Sequence, residues 1–279
     1  MTGNIYGQFA GPICPLATDK ILLDEITPLV LSFNEAPNVV RTFDKLRWAR
    51  RIVVVDSGSN DGTIDMLRSY QQVDVIHRAF TDFASQWNFG LMQVNTPWVL
   101  SLDADYQLSD EIIREMQSLS PAADTNGYSA SFVYRVYGHP LRGALYPPRV
   151  VLHKNGFATY KNEGHTQRLV VSGNTLNLVS KIYHDDRKSL ARWFQSQQRY
   201  ARDEALYLLG ADPTALSFAH KLRLAGWPAP IAVFVYTLIV KGCALDGWPG
   251  WFYALQRVCA ETMIAIEVID KRLQRDTGQ

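Results

Sequence analysis

The sequence predicts an α/β fold: a doubly wound, mainly parallel central sheet with a small antiparallel sheet beside it and a helical C-terminal extension. Three observations carry this expectation. Short apolar runs begin near positions 29, 52, 73 and 98 with helical periodicity between them, which is the rhythm of βαβ units. Ile52-Val53-Val54-Val55 is β-branched and apolar throughout, as a parallel strand covered on both faces must be. Trp98 to Leu102 is a further apolar run that breaks off at Asp103-Ala104-Asp105, putting two carboxylates at the carboxyl end of a buried strand, where open α/β sheets bind ligands.

The elements follow in order. Leu29 to Phe33 reads as a strand, and Asn34-Glu35-Ala36-Pro37 opens a helix with a capping residue, an acid and a proline early enough to be tolerated. Val39, Val40, Phe43 and Leu46 recur at helical spacing as its inner face, while Arg41, Lys45, Arg47, Arg50 and Arg51 mark a solvated side and the C-terminal end. The second strand stops at Asp56, and Ser57 to Thr63 supplies turn and N-cap chemistry before Ile64, Met66 and Leu67. Asp56 can accept from a nucleobase or a ribose hydroxyl, or it can cap the next helix, and both readings stand. Val73 to Ile76 is a third strand. Neither GxGxxG nor GxxxxGK[ST] is present, which removes the dinucleotide fingerprint and the Walker loop.

Beyond Asp105, Tyr128 to Tyr134 alternates as a strand and Arg149 to His153 forms another, separated by the loop Gly138 to Pro148. Arg142, Arg149 and Lys154 are candidates for contact with an anionic ligand such as a phosphorylated glycolipid, against the plainer role of a solvated loop. Asn162 to Gln167 is polar and lies between strands. A long helix runs from Ser189 to Leu209 and stops at Gly210. The apolar run Ile231 to Val240 is too short to span a bilayer, for which about 20 residues are needed. With Trp227, Phe234, Tyr236, Trp248, Trp251, Phe252 and Tyr253 and the basic end Lys271 to Arg275, it suits a membrane interface, or a helical pair packed on the domain or on a second copy.

A chain of 279 residues, 47% hydrophobic and 20% charged, is ordinary globular protein, and a net charge of +1 gives no reason to expect nucleic acid as a partner. Cys14, Cys243 and Cys259 lack metal or disulfide spacing and suit a reducing compartment. Met1 to Asp24 lacks the pattern of a secretory signal, so the expected location is cytoplasmic, with peripheral contact on the membrane's inner face. The expected division is a lead-in over 1–26, an α/β domain over 27–210 and a helical extension over 211–279.

Asp103 and Asp105, one residue apart, can hold one hard divalent cation through oxygen ligands, and such a cation bridges the oxygens of a diphosphate; the plainer alternative is a solvated acidic turn. Leu31-Ser32-Phe33-Asn34-Glu35, Val53 to Thr63, Phe83-Ala84-Ser85-Gln86-Trp87-Asn88 and Ser101-Leu102-Asp103-Ala104-Asp105 resemble, in order and spacing, the successive motifs of family 2 glycosyltransferases. The resemblance covers roughly residues 27 to 209 and is nearest to short bacterial members acting on lipopolysaccharide core or envelope glycans. It implies a GT-A fold, a nucleoside-diphosphate sugar donor, UDP-linked, and Mn²⁺ or Mg²⁺ on the diphosphate. By position it puts Phe33, Asn34 and Glu35 at the nucleoside edge, Asp56 on uracil or ribose, Gln86 and Asn88 with Arg78 along the donor, and Asp103 on donor hydroxyls. Asp105 becomes a metal ligand, with His184 as a second. Many members carry another acid after the pair, where this chain has Tyr106. Glu163 is the first candidate for the base that deprotonates a glycan or glycolipid acceptor, and His165 the second. Ser189 and Ser196 stand three places before Arg192 and Arg199, where polymerising relatives have glutamine, so transfer of one sugar is implied. Two other classes compete: a silent nucleotide-sugar-binding partner at the membrane, and a nucleotidylyltransferase, which would want a Gly-rich basic loop where Asn34 to Pro37 stand.

Overall fold

The computed structural model describes residues 20–163 and 166–277. The lead-in expected at the N-terminus lies outside the described residues as far as position 19, and so does His165. The order of elements is β1 (Ile26–Ser32), α1 (Ala36–Phe43), β2 (Ile52–Asp56), α2 (Thr63–Arg68), β3 (Val73–His77), α3 (Phe83–Leu91), β4 (Trp98–Asp103), β5 (Tyr106–Leu108) and α4 (Asp110–Ser118). After these come β6 (Thr125–Val136), β7 (His139–Pro140), β8 (Arg149–Lys154), β9 (Ala158–Glu163), β10 (Thr166–Val171) and β11 (Asn174–His184). Four helices close the chain: α5 (Leu190–Gly210), α6 (Phe218–Ala225), α7 (Pro228–Val235), extended by a π-turn over Tyr236–Val240, and α8 (Trp248–Thr277).

The main sheet runs β3-β2-β1-β4-β8-β6-β11-β5, with β7 paired to β6. Its first four strands are parallel, as βαβ crossovers require. Alternate side chains of β1 and β2 enter two separate cores: Val30, Ile52 and Val54 pack under α1, α2 and α4, whereas Leu29, Val53 and Val55 pack under α3. A strand buried on both faces is apolar through its middle, and the buried polar residues Thr27, Ser32 and Asp56 stand near the strand ends, where each has a hydrogen-bond partner. Strands β8 and β6 extend this sheet, and the separate antiparallel sheet is the pair β9–β10, laid against α3 by the stacked rings of Trp87 and Tyr160, 4.9 Å apart. On the opposite side Gly90 lets α3 approach the main sheet, since a Cβ there would sit 2.6 Å from Leu29 Cδ1.

Two expectations for α1 need correction. Val40 is 49% exposed, because the buried stripe is Asn38, Val39, Thr42 and Phe43. Arg41 is not merely solvated: its Nη1 donates to the buried carboxylate of Asp185 at 2.8 Å.

The C-terminal helices are docked on the sheet's second half. Val136, Leu141, Leu238, Cys243, Tyr253 and Ala254 form one core with Phe234 and Phe252 packed against it, so these three rings leave the aromatic set expected at a membrane interface; the Tyr253 hydroxyl accepts from the Leu145 amide at 2.9 Å. Ala201, Ala205 and Leu208 of α5 share a second core with Ile264 and Val268 of α8. Gly250, in the first turn of α8, touches the chain directly: a Cβ would lie 1.8 Å from the Cys243 carbonyl oxygen. Gly250→Ala gains about 1 kcal/mol of helix propensity, but a backbone clash of this size exceeds ordinary overpacking at about 1–3 kcal/mol. The expected net result is a lower midpoint of thermal unfolding.

Candidate active site

The first turn after β1 and the turn after β2 lock each other. Asn34 takes the left-handed conformation, φ 54°, which asparagine tolerates, and its amide donates to Ser59 Oγ at 2.7 Å while its side-chain oxygen accepts from the Asn60 amide at 2.7 Å. The Glu35 amide donates to Thr63 Oγ1 at 2.7 Å. Asp56 is buried and accepts from the Gly58 and Ser59 amides, each at 2.8 Å, and from Ser32 Oγ at 2.7 Å, so it closes the β2 turn upon itself. Phe33 is exposed, with the Arg192 guanidinium 5.3 Å from its ring centroid.

On α3 the polar side chains face the ends of β2 and β3. Gln86 is buried, its Nε2 donates to Ser57 Oγ at 3.1 Å and to the Arg78 carbonyl at 3.0 Å, and its Oε1 has no protein partner. Arg78 donates to Ser85 and lies over Phe89. Asn88 spends both amide atoms on the main chain of Tyr160, 2.9 Å each way, and so ties β9 to α3.

The carboxyl end of β4 opens on a cavity of about 440 Å³. Glu35, Asp103, Asp105 and His184 all line it, so residues widely separated in sequence converge there. The convergence is built by pairing: β11 runs antiparallel to β5 with His184 opposite Tyr106, which sets the imidazole beside Asp105. Thr42 Oγ1 donates to the Ala104 carbonyl at 2.7 Å, and the Asp185 amide donates to the Asp105 carbonyl at 3.3 Å, fixing the turn from both sides. His184 Nε2 lies 3.2 Å from Asp105 Oδ2. Burial acts to raise Asp105, but His184 and Lys188 hold its carboxyl well below the usual carboxylate range. Burial together with Asp105 raises Asp103. His184 is raised in turn, since Asp105 outweighs the burial that would lower it.

These residues fit a divalent cation. Asp105 Oδ1 is buried without a hydrogen-bond partner and the His184 Nε2 edge faces the same carboxylate, an oxygen donor beside an imidazole nitrogen, a set that suits Mn²⁺ and leaves Mg²⁺ acceptable. Among the described residues no group of three or more His, Cys, Asp or Glu ligands is assembled, so the remaining ligands would be substrate oxygens and water.

Lys188, Tyr134 and Tyr146 escaped the sequence reading. Lys188 Nζ is 2.5 Å from Glu35 Oε1 and is raised by that carboxylate and by Asp105; burial pushes Glu35 up to about 7 against the pull of Lys188. Tyr106, Tyr134 and Tyr146 surround the His184 ring at 5.4, 4.8 and 4.6 Å between centroids. Arg149, half-buried over Tyr146, also lines the cavity, whereas Arg142 is paired with Asp246 and Lys154 donates to the Ala123 carbonyl. The backbone of Glu163 ends β9 in register with Thr166, and Gln167 on the next strand lines the cavity. The side chain of Glu163 is outside what is described.

Residues 29–184 match the family model described as glycosyl transferase family 2. An uncharacterized glycosyltransferase of Rickettsia bellii is 25% identical over 172 residues, 59% of this chain and 58% of its own length. The lipopolysaccharide core biosynthesis glycosyltransferase LpsC of Rhizobium meliloti is 30% identical over 95 residues, 33% of this chain and 35% of its own. The match therefore spans less than two thirds of either relative. Among solved structures, the mannosyltransferase PcManGT of Pyrobaculum calidifontis, in complex with GDP-Man and Mn²⁺, superposes with a TM-score of 0.53 at 16% identity, covering 93% of this chain and 91% of that one. That likeness concerns the fold. With more than half its length matched, the chain belongs to glycosyl transferase family 2.

Proposed function

We propose that this protein moves one sugar, with inversion, from a nucleoside-diphosphate donor to a hydroxyl of an envelope glycan or glycolipid. The observation that carries the reading is the buried pair Asp105 and His184, with Asp105 Oδ1 unpartnered, at the floor of the cavity. Asp105 and His184 would hold the cation, which when bound supplies positive charge to the departing diphosphate. The chain's own cations, Lys188 and Arg149, line the same cavity and add fixed charge where negative charge develops. The acceptor oxygen attacks the anomeric carbon, the bond from that carbon to the diphosphate breaks, and the acceptor proton passes to Glu163. LpsC supports an envelope acceptor, and the likeness to a GDP-Man-bound enzyme makes the nucleobase the first thing to measure. The test is a screen of UDP- and GDP-sugars for hydrolysis and thermal shift with Mn²⁺; a donor that neither stabilises nor hydrolyses in any combination contradicts the reading.

Glu163→Gln keeps shape and removes the base. Loss of general-base catalysis lowers turnover by about 10²–10⁴-fold, with donor affinity unchanged in a titration. Retained turnover moves the proton to His165 or elsewhere.

The tail is proposed to rest on a membrane surface. No described helix is long and apolar enough to cross a bilayer, yet Trp227 and Ile239 are 72% and 73% exposed, and Ile231, Trp248 and Trp251 are exposed on the same helix pair. Lys241 lies over the Tyr236 ring, the mixed aromatic and basic set that headgroups favour. The basic end of α8 is about 40 Å from Trp248 at 1.5 Å per residue, so it is a separate contact. Trp227→Ser with Ile239→Ser is expected to abolish cosedimentation with phosphatidylglycerol vesicles. Unchanged cosedimentation, or a wild-type dimer that the same pair of substitutions breaks, assigns the surface to something other than lipid.

A further inference from the structure

We propose that the acceptor is an anionic sugar, and that Arg257 of α8 binds its phosphate or carboxylate group at the far end of the cavity. This rests on the transferase reading above and adds the class of acceptor.

The cavity does not end at the metal pair. A row of rings leads away from it: His184 to Tyr134, 4.8 Å between centroids, Tyr134 to Tyr253, 4.8 Å, and Tyr253 to the Arg257 guanidinium, 5.5 Å. Arg257 lines the cavity together with Ser196, Gln197 and Trp193 of α5. Hydroxyl and amide groups beside an indole are what a sugar ring uses, the first for its hydroxyls and the second for its apolar face.

The other cations of the lining are engaged. Lys188 is paired with Glu35 and Asp186, Arg223 with Glu204 and Glu261, and Arg192 donates to the Phe33 and Asn34 carbonyls. Arg149 lies on Tyr146 in the field of Asp103. The acid nearest Arg257 along α8, Glu261, is held by Arg223 Nη2 at 2.6 Å and by Arg223 Nε at 2.9 Å. Arg257 Nε is buried without a hydrogen-bond partner. That nitrogen has lost water without gaining a partner, and among the described residues no carboxylate is paired with the guanidinium, so its donors are left for a bidentate anion. The planar fork fits two oxygens of a phosphate monoester or of a carboxylate, and Tyr134, whose hydroxyl feels the charge of Arg257, lines the same cavity. An acceptor held at that end presents its neutral hydroxyl toward Asp105 and His184, away from the donor's own phosphates.

The experiment uses the full chain and three small probes: glucose-6-phosphate, glucuronate and glucose. Each is titrated by ligand-observed NMR with and without saturating UDP and Mn²⁺, on wild type, Arg257→Gln and Arg257→Lys. With UDP and Mn²⁺ present, one or both anions are expected to bind at least about tenfold more tightly than glucose, as a charge-assisted bidentate contact implies, and which of them binds identifies the group. Arg257→Gln is expected to erase that preference and to leave UDP affinity unchanged. Arg257→Lys, which keeps the stem over Tyr253, loses only part of it and serves if the glutamine variant does not fold. Equal binding of glucose, undiminished anion binding in both variants, anion binding that UDP displaces, or a loss of UDP affinity instead would each overturn the proposal. A wild type that binds the anions but never UDP leaves Arg257 standing and removes the transferase reading, so the two failures are distinct.

Discussion

Asp105→Ala is expected to abolish transfer while leaving the protein folded. The cation it helps to hold is worth several kcal/mol to a departing diphosphate, and about 4 kcal/mol corresponds to about 10³-fold in rate. The variant should also lose the strengthening of UDP binding by Mn²⁺, measured by isothermal titration. Folding should persist because the turn is fixed through main-chain oxygens, the carbonyls of Ala104 and Asp105, which the substitution keeps. Full activity in Asp105→Ala would remove the acid from the chemistry.

Arg223→Met should produce the largest loss of stability. Arg223 of α6 joins Glu204 of α5 at 2.9 Å and Glu261 of α8 at 2.6 Å, and both carboxylates are mostly buried. Burial acts against the guanidinium, yet the two acids raise it above its ordinary value. Removing the shared cation strands two negative charges, and breaking a buried pair costs about 3–5 kcal/mol. For a chain of this size that is on the order of 10 °C in unfolding midpoint. Restoring the charge balance with Glu204→Gln and Glu261→Gln in the same chain should recover much of the loss, whereas a packing defect alone would not respond. Because this triad backs the cavity, acceptor-side function should fall before donor binding does.

The parallel half of the sheet was legible because its requirements are local. Val53, Val54 and Val55 must be apolar on both faces, and Asp56 and Asn34 stand where turns need them, so short windows of sequence suffice. The second half was less legible: β11 carries a register shift between Asn177 and Lys181, and much of its length is exposed, so no simple period marks it. The family's resemblance, not periodicity, pointed to His184, since 79 residues separate it from Asp105. Arg223 and Arg257 look like any cation on an amphipathic helix, and Lys188 like any cation just before one. What distinguishes them is the carboxylate or cavity that folding brings opposite, and that partner is distant in the chain. Val40 was misread for the converse reason, since spacing alone does not say which of two adjacent valines faces the sheet.

The most direct test is the anomalous scattering of manganese in crystals of the full chain grown with UDP and Mn²⁺. The predicted result is one strong peak within bonding distance of Asp105 and His184 that also contacts the diphosphate. A diphosphate bound with no peak there, or a peak elsewhere with the Asp105 carboxylate still turned to His184, would contradict the account.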